Sequence, residues 1–393
     1  MAKRRKQPQQ TLTLTPLHLS GSLPFDLVVE ILYRLPVKHL LQLRCVCKSW
    51  NSIISRDSDF AKKHFRLSTS SHDRHHLILS SSKFLLSHCS ISSIFTSTFT
   101  TATSTVKQFG YGKRSILNKI AYRNSASTCD GILCFKIHDT LALVCNPFIR
   151  KFKRLPLLKF PHQFLTSYTL VYDRFTNSYK IIAVTDSYKI IAVNASRRKY
   201  EVSVHTLGTR CWRRILDFPG PDLIPNSGSG TFFNDSVNWL TRDTIDRAYL
   251  IVSLDLEKES YQKLSLPVVD VEFPISIMST LGTLRGCLSL LSPRDTFYDV
   301  LIMKEYGDEN SWIKLFSVPQ TNPWGDCHYT KVLYISEDDQ VLMEFCKGWT
   351  ETEYSLVVYD SINNTFKIPK FQNNIHGHMV AKEIYVESLI CPF

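Results

Sequence analysis

Two hydrophobic periods divide the chain. From Leu23 to Phe60 the apolar spacing is helical: Leu27, Ile31, Leu32 and Leu35 fall at i, i+4, i+5 and i+8, one stripe of a short helix that Pro24 can open in its first turn and Pro36 must end. Pro36 can open a second helix through PVKHLLQLRCV, with Leu40, Leu41 and Val46 apolar. A third is expected over CKSWNSII, where Cys47, Trp50 and Ile54 stand at i, i+3 and i+7. Three short helices in about 40 residues give a poor core. A unit so small and so apolar is expected to lend part of its apolar surface to another protein.

Beyond residue 75 the pattern has period two. LILSSSKFLLS, GILCFKI, LALVCNPF, YEVSVHTL, YLIVSLDL, YDVLIMK, KVLYI, QVLMEF and YSLVVYD read as short strands rich in β-branched and aromatic residues, separated by Gly, Asn, Asp and Pro turns. They also repeat. NPFIRKFKRLP, TLGTRCWRRILDFP, DLEKESYQKLSLP, KEYGDENSWIKLFSVP and DSINNTFKIP each place an aromatic after a polar turn, at Phe152, Trp212, Tyr261, Trp312 and Phe366, with intervals of 60, 49, 51 and 54. The longest interval contains the tandem SYKIIAVTD and SYKIIAVNA over residues 178–195, a nine-residue duplication whose removal brings it to 51. CDGILCF, NDSVNWL and LRGCLSL keep the same phase when aligned on turns at Gly131, Ser236 and Gly286.

About 50 residues of four strands is the length of a kelch-like propeller blade. Five units are clear, and Leu77 to Phe95 with the C-terminal KEIYVESLI is expected to form a sixth, closing the ring by pairing the two ends. The fold class is therefore α+β and multidomain: a small N-terminal three-helix unit followed by an all-β kelch-like propeller of about five to six blades. The expected boundaries are a basic tail over 1–20, the helical unit over 21–65, a linker over 66–76 and the propeller over 77–393, with the Ser/Thr-rich 90–106 as loop.

Charge and cysteines narrow the picture little. The net charge of +12 with pI about 9.1 fits nucleic acid, an anionic surface or an acidic protein partner. The basic runs, Lys3 to Lys6, Arg150 to Arg154, Arg197 to Lys199 and Arg213 with Arg214, are short and separate, and alternation such as Lys151 and Lys153 suits the solvated face of a strand. The eleven cysteines include no CxxC pair and are expected to be mostly buried thiols. Cys45 and Cys47 point about 200° apart on a helix and cannot easily grip one ion; Cys47 reads as a small core residue beside Trp50. No apolar stretch approaches the roughly 20 residues that cross a bilayer, and no apolar segment follows the N-terminal basic residues as a secretory leader requires. The chain is expected in the cytoplasm or nucleus, with no membrane partner and with Lys3 to Lys6 a candidate nuclear address.

Catalytic motifs fail on inspection. GYGKRS has Lys107 where a phosphate-cradling loop needs its first glycine and Arg114 where it needs Ser or Thr, SGSGTF lacks the spacing of a nucleophile elbow, and no HExxH occurs. No cofactor, metal or catalytic residue is expected.

The run LPFDLVVEILYRLPVKHLLQLRCVCKSWNSIISRDSDF closely resembles an F-box, through Leu23-Pro24, Ile31-Leu32, Leu35-Pro36-Val37 and Arg44 to Trp50, followed by Ile53, Ile54 and Phe60. The remainder resembles the plant F-box-associated interaction domain of kelch-type F-box proteins. CDGILCF with LALVCNPFIRKFKRLP stands where that family has its Asn-Gly strand, Asn-Pro (here Asn146-Pro147) and Leu-Pro (here Leu155-Pro156), and YTLVYDRFTNSYKIIAV matches its next segment. Asp130 for the usual Asn and Ser236 for a turn glycine depart from the pattern.

What the resemblance implies is a docking module. F-box helices pack on a Skp-type adaptor, which reaches a RING ubiquitin ligase through a cullin. Leu23, Pro24, Ile31, Leu32, Leu35, Pro36, Leu40, Val46 and Trp50 become the candidate contact and core residues. The chain would be a non-catalytic substrate-recognition subunit, its propeller loops holding a target protein, with Arg174, Arg197, Arg198, Arg242, Trp324 and Trp349 as exposed candidates. Two other readings of the propeller stay open: a small-molecule or glycan site with Trp324 and Trp349 as platforms, and a basic nucleic-acid surface whose binding would fall steeply with salt.

Overall fold

The computed structural model describes residues 23–81, 86–96, 99–100, 103–106, 126–138, 140–158, 166–191, 195–220, 222–226, 229–267, 275–276, 278–320, 327–347, 353–371 and 379–391. Helices α1 (Phe25–Tyr33), α2 (Val37–Leu43), α3 (Lys48–Arg56) and α4 (Ser58–Thr69) open the chain. Pro24 and Pro36 sit at the N-caps of α1 and α2, where a missing N–H costs nothing. Asp57 caps α4, its carboxylate accepting the N–H groups of Asp59 and Phe60 at 2.9 Å each.

Two expectations change here. Cys47 is exposed, not core: it caps α3, its Sγ accepting the N–H of Trp50 at 3.5 Å. A fourth helix, α4, follows the three expected, running through residues read as the start of a linker. Its buried stripe is Phe60, Ala61, His64 and Ser68. The polarity of the last two hid a helical spacing, because their burial depends on hydrogen bonds rather than on apolarity. His64 Nε2 lies 2.8 Å from the carbonyl of Leu35, and Ser68 Oγ donates to the carbonyl of His64 at 2.9 Å.

Six blades follow, five of four strands and one of five. The first takes β1 (His75–Ser81), β2 (Leu86–Ser90) and β4 (Thr103–Val106); a short α5 (Ile91–Thr96) and β3 (Phe99–Thr100) lie between the last two. These occupy residues read as loop, because Thr103–Val106 is too polar and short to signal a strand. The second blade is β5 (Ala126–Cys129), β6 (Ile132–His138), β7 (Leu141–Asn146) and β8 (Lys151–Arg154). The third is β9 (Thr166–Asp173), β10 (Ser178–Ile191), β11 (Ala195–Thr206) and β12 (Arg213–Arg214).

In the fourth blade β13 (Leu223–Pro225) and β14 (Thr231–Phe233) share one edge of β15 (Ser236–Asp243), followed by β16 (Tyr249–Asp255) and β17 (Ser260–Leu264). The fifth holds β18 (Thr280–Leu284), β19 (Cys287–Pro293), β20 (Phe297–Met303) and β21 (Trp312–Pro319), and the sixth β22 (Cys327–Ile335), β23 (Gln340–Lys347), β24 (Glu353–Asp360) and β25 (Thr365–Lys367). β26 (Lys370–Phe371) pairs in parallel with β3, and β27 (Met379–Val386) pairs antiparallel with β1 from His75↔Val386 to Ser81↔Met379. The two ends therefore close the ring, as the sequence predicts.

The aromatic repeat marks one place in each complete blade: Phe152, Tyr261, Trp312 and Phe366 lie on outermost strands and Trp212 immediately precedes one. Each blade interface holds its own apolar cluster. Ile132 and Cys134 face the third blade while Leu133 and Phe135 face the first, so a middle strand buries both faces and reads as a continuous apolar run, not as an alternation.

The turns carry a second repeat. Asn146, Asp173, Asp255 and Asp360 each use a side-chain oxygen to accept the N–H groups two and three residues on. Four residues after each stands a left-handed residue, Arg150, Asn177, Glu259 and Asn364. Two-residue hairpins with both residues left-handed join β5 to β6 at Asp130-Gly131, β14 to β15 at Asn234-Asp235 and β18 to β19 at Arg285-Gly286. This corrects the alignment by one residue: Asp235, with φ 55, takes the glycine position, and Ser236 is already in the strand opposite Phe233.

Several buried histidines are held neutral. Burial lowers His64, His75 and His205, and takes His88 down to about 4, with His76 adding to the effect. A folded-state pKa below the unfolded value means that the unfolded chain takes up the proton first, so stability is full above about pH 6.5 and is lost as pH falls toward 4. His88 alone contributes a loss of about 3 kcal/mol by pH 4. Thermal melting followed from pH 7.5 to 4.5 should fall steadily below about 6.5; a His88→Leu variant should flatten that decline, and an unchanged slope would count against the assignment.

Candidate functional site

The motif residues of the helical unit divide by direction. Leu32 and Leu40, 1% and 0% exposed, turn inward with Val37, Ile54 and Phe60. Leu23 (52%), Ile31 (51%) and Val46 (61%) turn to solvent with Pro24. Leu35, Pro36 and Trp50 are half-buried on the boundary. Phe25 and Leu27 are equally exposed; Leu27 belongs to the helical stripe read from the sequence, but neither is among the candidate contact residues. A signal was present: Leu23, Leu27 and Ile31 stand at i, i+4 and i+8, whereas Val28 and Leu32 form a parallel line one residue on. The single sequence stripe had merged two faces of α1.

The inward half has no core of its own. Leu32, Val37, Leu40, Ile54 and Phe60 join one cluster with Ile132, Cys134 and Val144 of the second blade, Tyr168, Leu170 and Ile181 of the third, and Leu389 and Ile390 beyond β27. Tyr33 stacks on Phe60 with ring centroids 4.7 Å apart.

Polar contacts fix the seat. The N–H of Val37, at the start of α2, donates to Glu387 Oε2 at 2.8 Å, and His76 Nε2 lies 3.2 Å from Glu387 Oε1. Burial alone would raise the Glu387 carboxyl; the bonds from His76 and Val37 outweigh it and hold the carboxyl below its ordinary value. Arg74 donates to the carbonyl of Arg34 and, at 2.7 Å, to Ser68 Oγ. Lys62 Nζ donates to Asn177 Oδ1 at 2.6 Å, tying α4 to the third blade. Asn146 donates to the carbonyls of Ser388 and Ile390, both at 2.9 Å. Gly131 makes room for the same tail: a Cβ there would lie 2.4 Å from Ser388 Cβ and 2.5 Å from the Val386 carbonyl.

The propeller candidates do not gather at one place. Arg174 lies in the β9–β10 turn on the helical side, paired with Asp235 at 2.6 Å. Arg242 lies near the opposite end of the sheets, its guanidinium 6.0 Å from the Tyr249 ring centre and its Nε buried without a hydrogen-bond partner. Arg197 and Arg198 stand in β11 opposite Lys189 and Tyr188, on the rim away from the helices. Trp324 and Trp349 lie outside the described residues. Among the described residues no group of three His, Cys, Asp or Glu could hold a metal ion, and no helix is long and apolar enough to cross a membrane.

An F-box domain model matches residues 21–62, and a model described as F-box associated beta propeller domain matches residues 79–391. The chain belongs to the F-box proteins that carry this propeller. F-box/kelch-repeat protein At3g23880 of Arabidopsis thaliana is 30% identical over 382 residues, covering 94% of this chain and 96% of that protein. F-box protein CPR1 of the same plant is 26% identical over 344 residues, 82% of this chain and 80% of that one. The exposed line from Leu23 to Ile31 and the buried line beside it thus both fall within the F-box match.

Two glycines separate the F-box seat from ordinary turn strain. Gly131 and Gly286 occupy equivalent hairpin positions with φ 75 and 71, but only Gly131 is crowded by the C-terminal tail. Gly286→Ala should cost about 1 kcal/mol in denaturant unfolding, from backbone strain alone. Gly131→Ala should cost at least about 2 kcal/mol more, because the tail must move. Equal costs would mean that the tail is not packed against the second blade.

Proposed function

We propose that this F-box protein is the substrate-recognition subunit of a Skp-cullin-F-box type ubiquitin ligase. The observation that carries the reading is the split of the F-box: half of its apolar residues share a core with the propeller, while Leu23, Phe25, Leu27, Ile31 and Val46 stay in water. A cluster of large apolar side chains exposed on a well-anchored support is the chemistry of a docking face for another protein. Its partner on this reading is a Skp-type adaptor, which reaches the cullin and RING subunit. The propeller holds a target protein near the ubiquitin-loaded enzyme and raises the effective concentration of its lysines there. The chain's own part is positional.

The test separates docking from folding. Purified Skp-type adaptor should be captured by the wild-type chain and not by a Leu27→Glu, Ile31→Glu variant, whose melting temperature should stay near wild type because both positions are exposed. Leu40→Ala should instead lower stability by about 2–5 kcal/mol through a cavity in the shared cluster. Undiminished capture by the charged variant, or none by the folded wild type, would remove the adaptor from this account.

A further inference from the structure

The exposed apolar line of the F-box stands among unmatched cations. Between Glu30 and Asp57 the chain holds five of them, Arg34, Lys38, Arg44, Lys48 and Arg56, and no carboxylate. All five are exposed. Arg34 falls seven residues after Leu27, on the same line of α1, and shares Glu30 with Lys63, at 3.5 and 2.7 Å. That carboxylate is therefore already matched. Arg44 and Lys48 stand two residues to either side of Val46, in a stretch over 44–49 that is exposed throughout. Arg44 donates to the carbonyl of Leu41 at 3.2 Å, and among the described residues none of Lys38, Arg44, Lys48 and Arg56 is paired with a carboxylate. Residues 1–22 add four cations and no carboxylate to the same end of the sequence.

The remainder of the helical side has the opposite sign. There the fourth, fifth and sixth blades present the turns 255–259, 304–311 and 336–339, which hold nine carboxylates and two lysines. Arg213 and Arg285 reach two of these carboxylates, Glu259 and Asp339, from neighbouring blades. Turn structure accounts for Asp255 and Asp308, whose side chains accept N–H groups two residues on. It does not account for Glu257, Glu305, Glu309 and Asp338, which are exposed and have no cation partner among the described residues. The net charge of +12 thus conceals a gradient across one end of the molecule, positive at the F-box and negative over the bare turns.

We infer that the docking face of the F-box is built for a protein whose contacting surface is acidic, and that the gradient turns this partner toward the F-box and away from the turns of the fourth to sixth blades. Carboxylates of the partner meet Arg44 and Lys48 around Val46, and the same carboxylates are repelled by Glu305 and Asp338. One field therefore both attracts the partner and orients it. The apolar side chains of Leu23, Leu27 and Ile31 favour a protein over a nucleic acid, whose charged backbone offers nothing to cover them. The inference rests on the adaptor reading and deepens it by naming the chemistry of the adaptor's face and the residues that select it.

The test follows association of purified Skp-type adaptor with the full chain by stopped-flow fluorescence between about 0.05 and 0.5 M salt. The association rate should fall about tenfold or more across that range while the dissociation rate changes little. Arg44→Glu with Lys48→Glu should slow association about tenfold at low salt and flatten the salt dependence, with the melting temperature near wild type because both positions are exposed. Glu305→Lys with Asp338→Lys shifts the net charge by the same amount in the other direction and should not speed association, because its cations draw the partner to the wrong place. Salt-independent association, or association unchanged by the first variant, overturns the inference. So does a gain from the second variant equal to the loss from the first, which would mean that net charge alone matters, and so does binding of an oligouridylate as tight as that of the adaptor. No capture by the folded wild type removes the ligase reading itself, whereas capture with salt-independent association removes this inference and leaves that reading standing.

Discussion

The antiparallel pairing of His75–Ser81 with Met379–Val386 is the constraint on which the rest depends. It joins residues from opposite ends of the chain into the first blade, and it also sets where the chain goes next. The ladder continues one step beyond the strands, with the N–H of Glu387 donating to the carbonyl of Arg74 at 3.1 Å. That step delivers Glu387 to the N–H of Val37 and places Ser388 and Ile390 against Asn146. Closing the ring and seating the F-box are thus one structural event. Non-local contacts of this separation carry a large loop-closure cost, so they belong late in folding.

Rigidity follows from the way turns are linked around the helical side. Arg174 pairs with Asp235 between the third and fourth blades, Arg285 with Asp339 between the fifth and sixth, and His72 with Glu337 between the sixth blade and the segment after α4. Exposed pairs of this kind contribute little each. Their role is geometric, since each joins turns that the blade clusters have already brought together. A second bond closes the ring nearer the axis: Lys331 of β22 reaches Glu383 of β27 at 2.8 Å, where burial raises the carboxyl against the pull of the lysine.

Much of this was legible because the repeat is carried by physics that period and turn chemistry report. The aromatics from Phe152 to Phe366 fix the phase of the outer strands, and the duplication 178–195 explains the one long interval. What escaped has common causes. α4 was hidden because His64 and Ser68 are buried through hydrogen bonds, which no apolar pattern records. β4 was hidden because TSTV is short and polar. Cys47 looked like core because a helical stripe does not reveal that its first member is a cap. The spacing holds two lines on α1, Leu23-Leu27-Ile31 and Val28-Leu32, but which of them turns inward is decided by the blades beneath, and the hairpin at Asn234-Asp235 was misplaced by one residue because Asp stood where a glycine was sought.

The split of the F-box then has a reason. A unit of four short helices buries too little apolar surface to be stable alone. Its inward line becomes core only where the second and third blades and the tail supply the other wall, and that wall exists only once β27 has closed the ring. The outward line is free for a partner because the inward line is already satisfied. The exposed line Leu23-Leu27-Ile31 is therefore held in place only in the state in which the propeller is closed. On the proposed reading, recruitment of a partner would be coupled to the integrity of the propeller by this shared core, without any moving part.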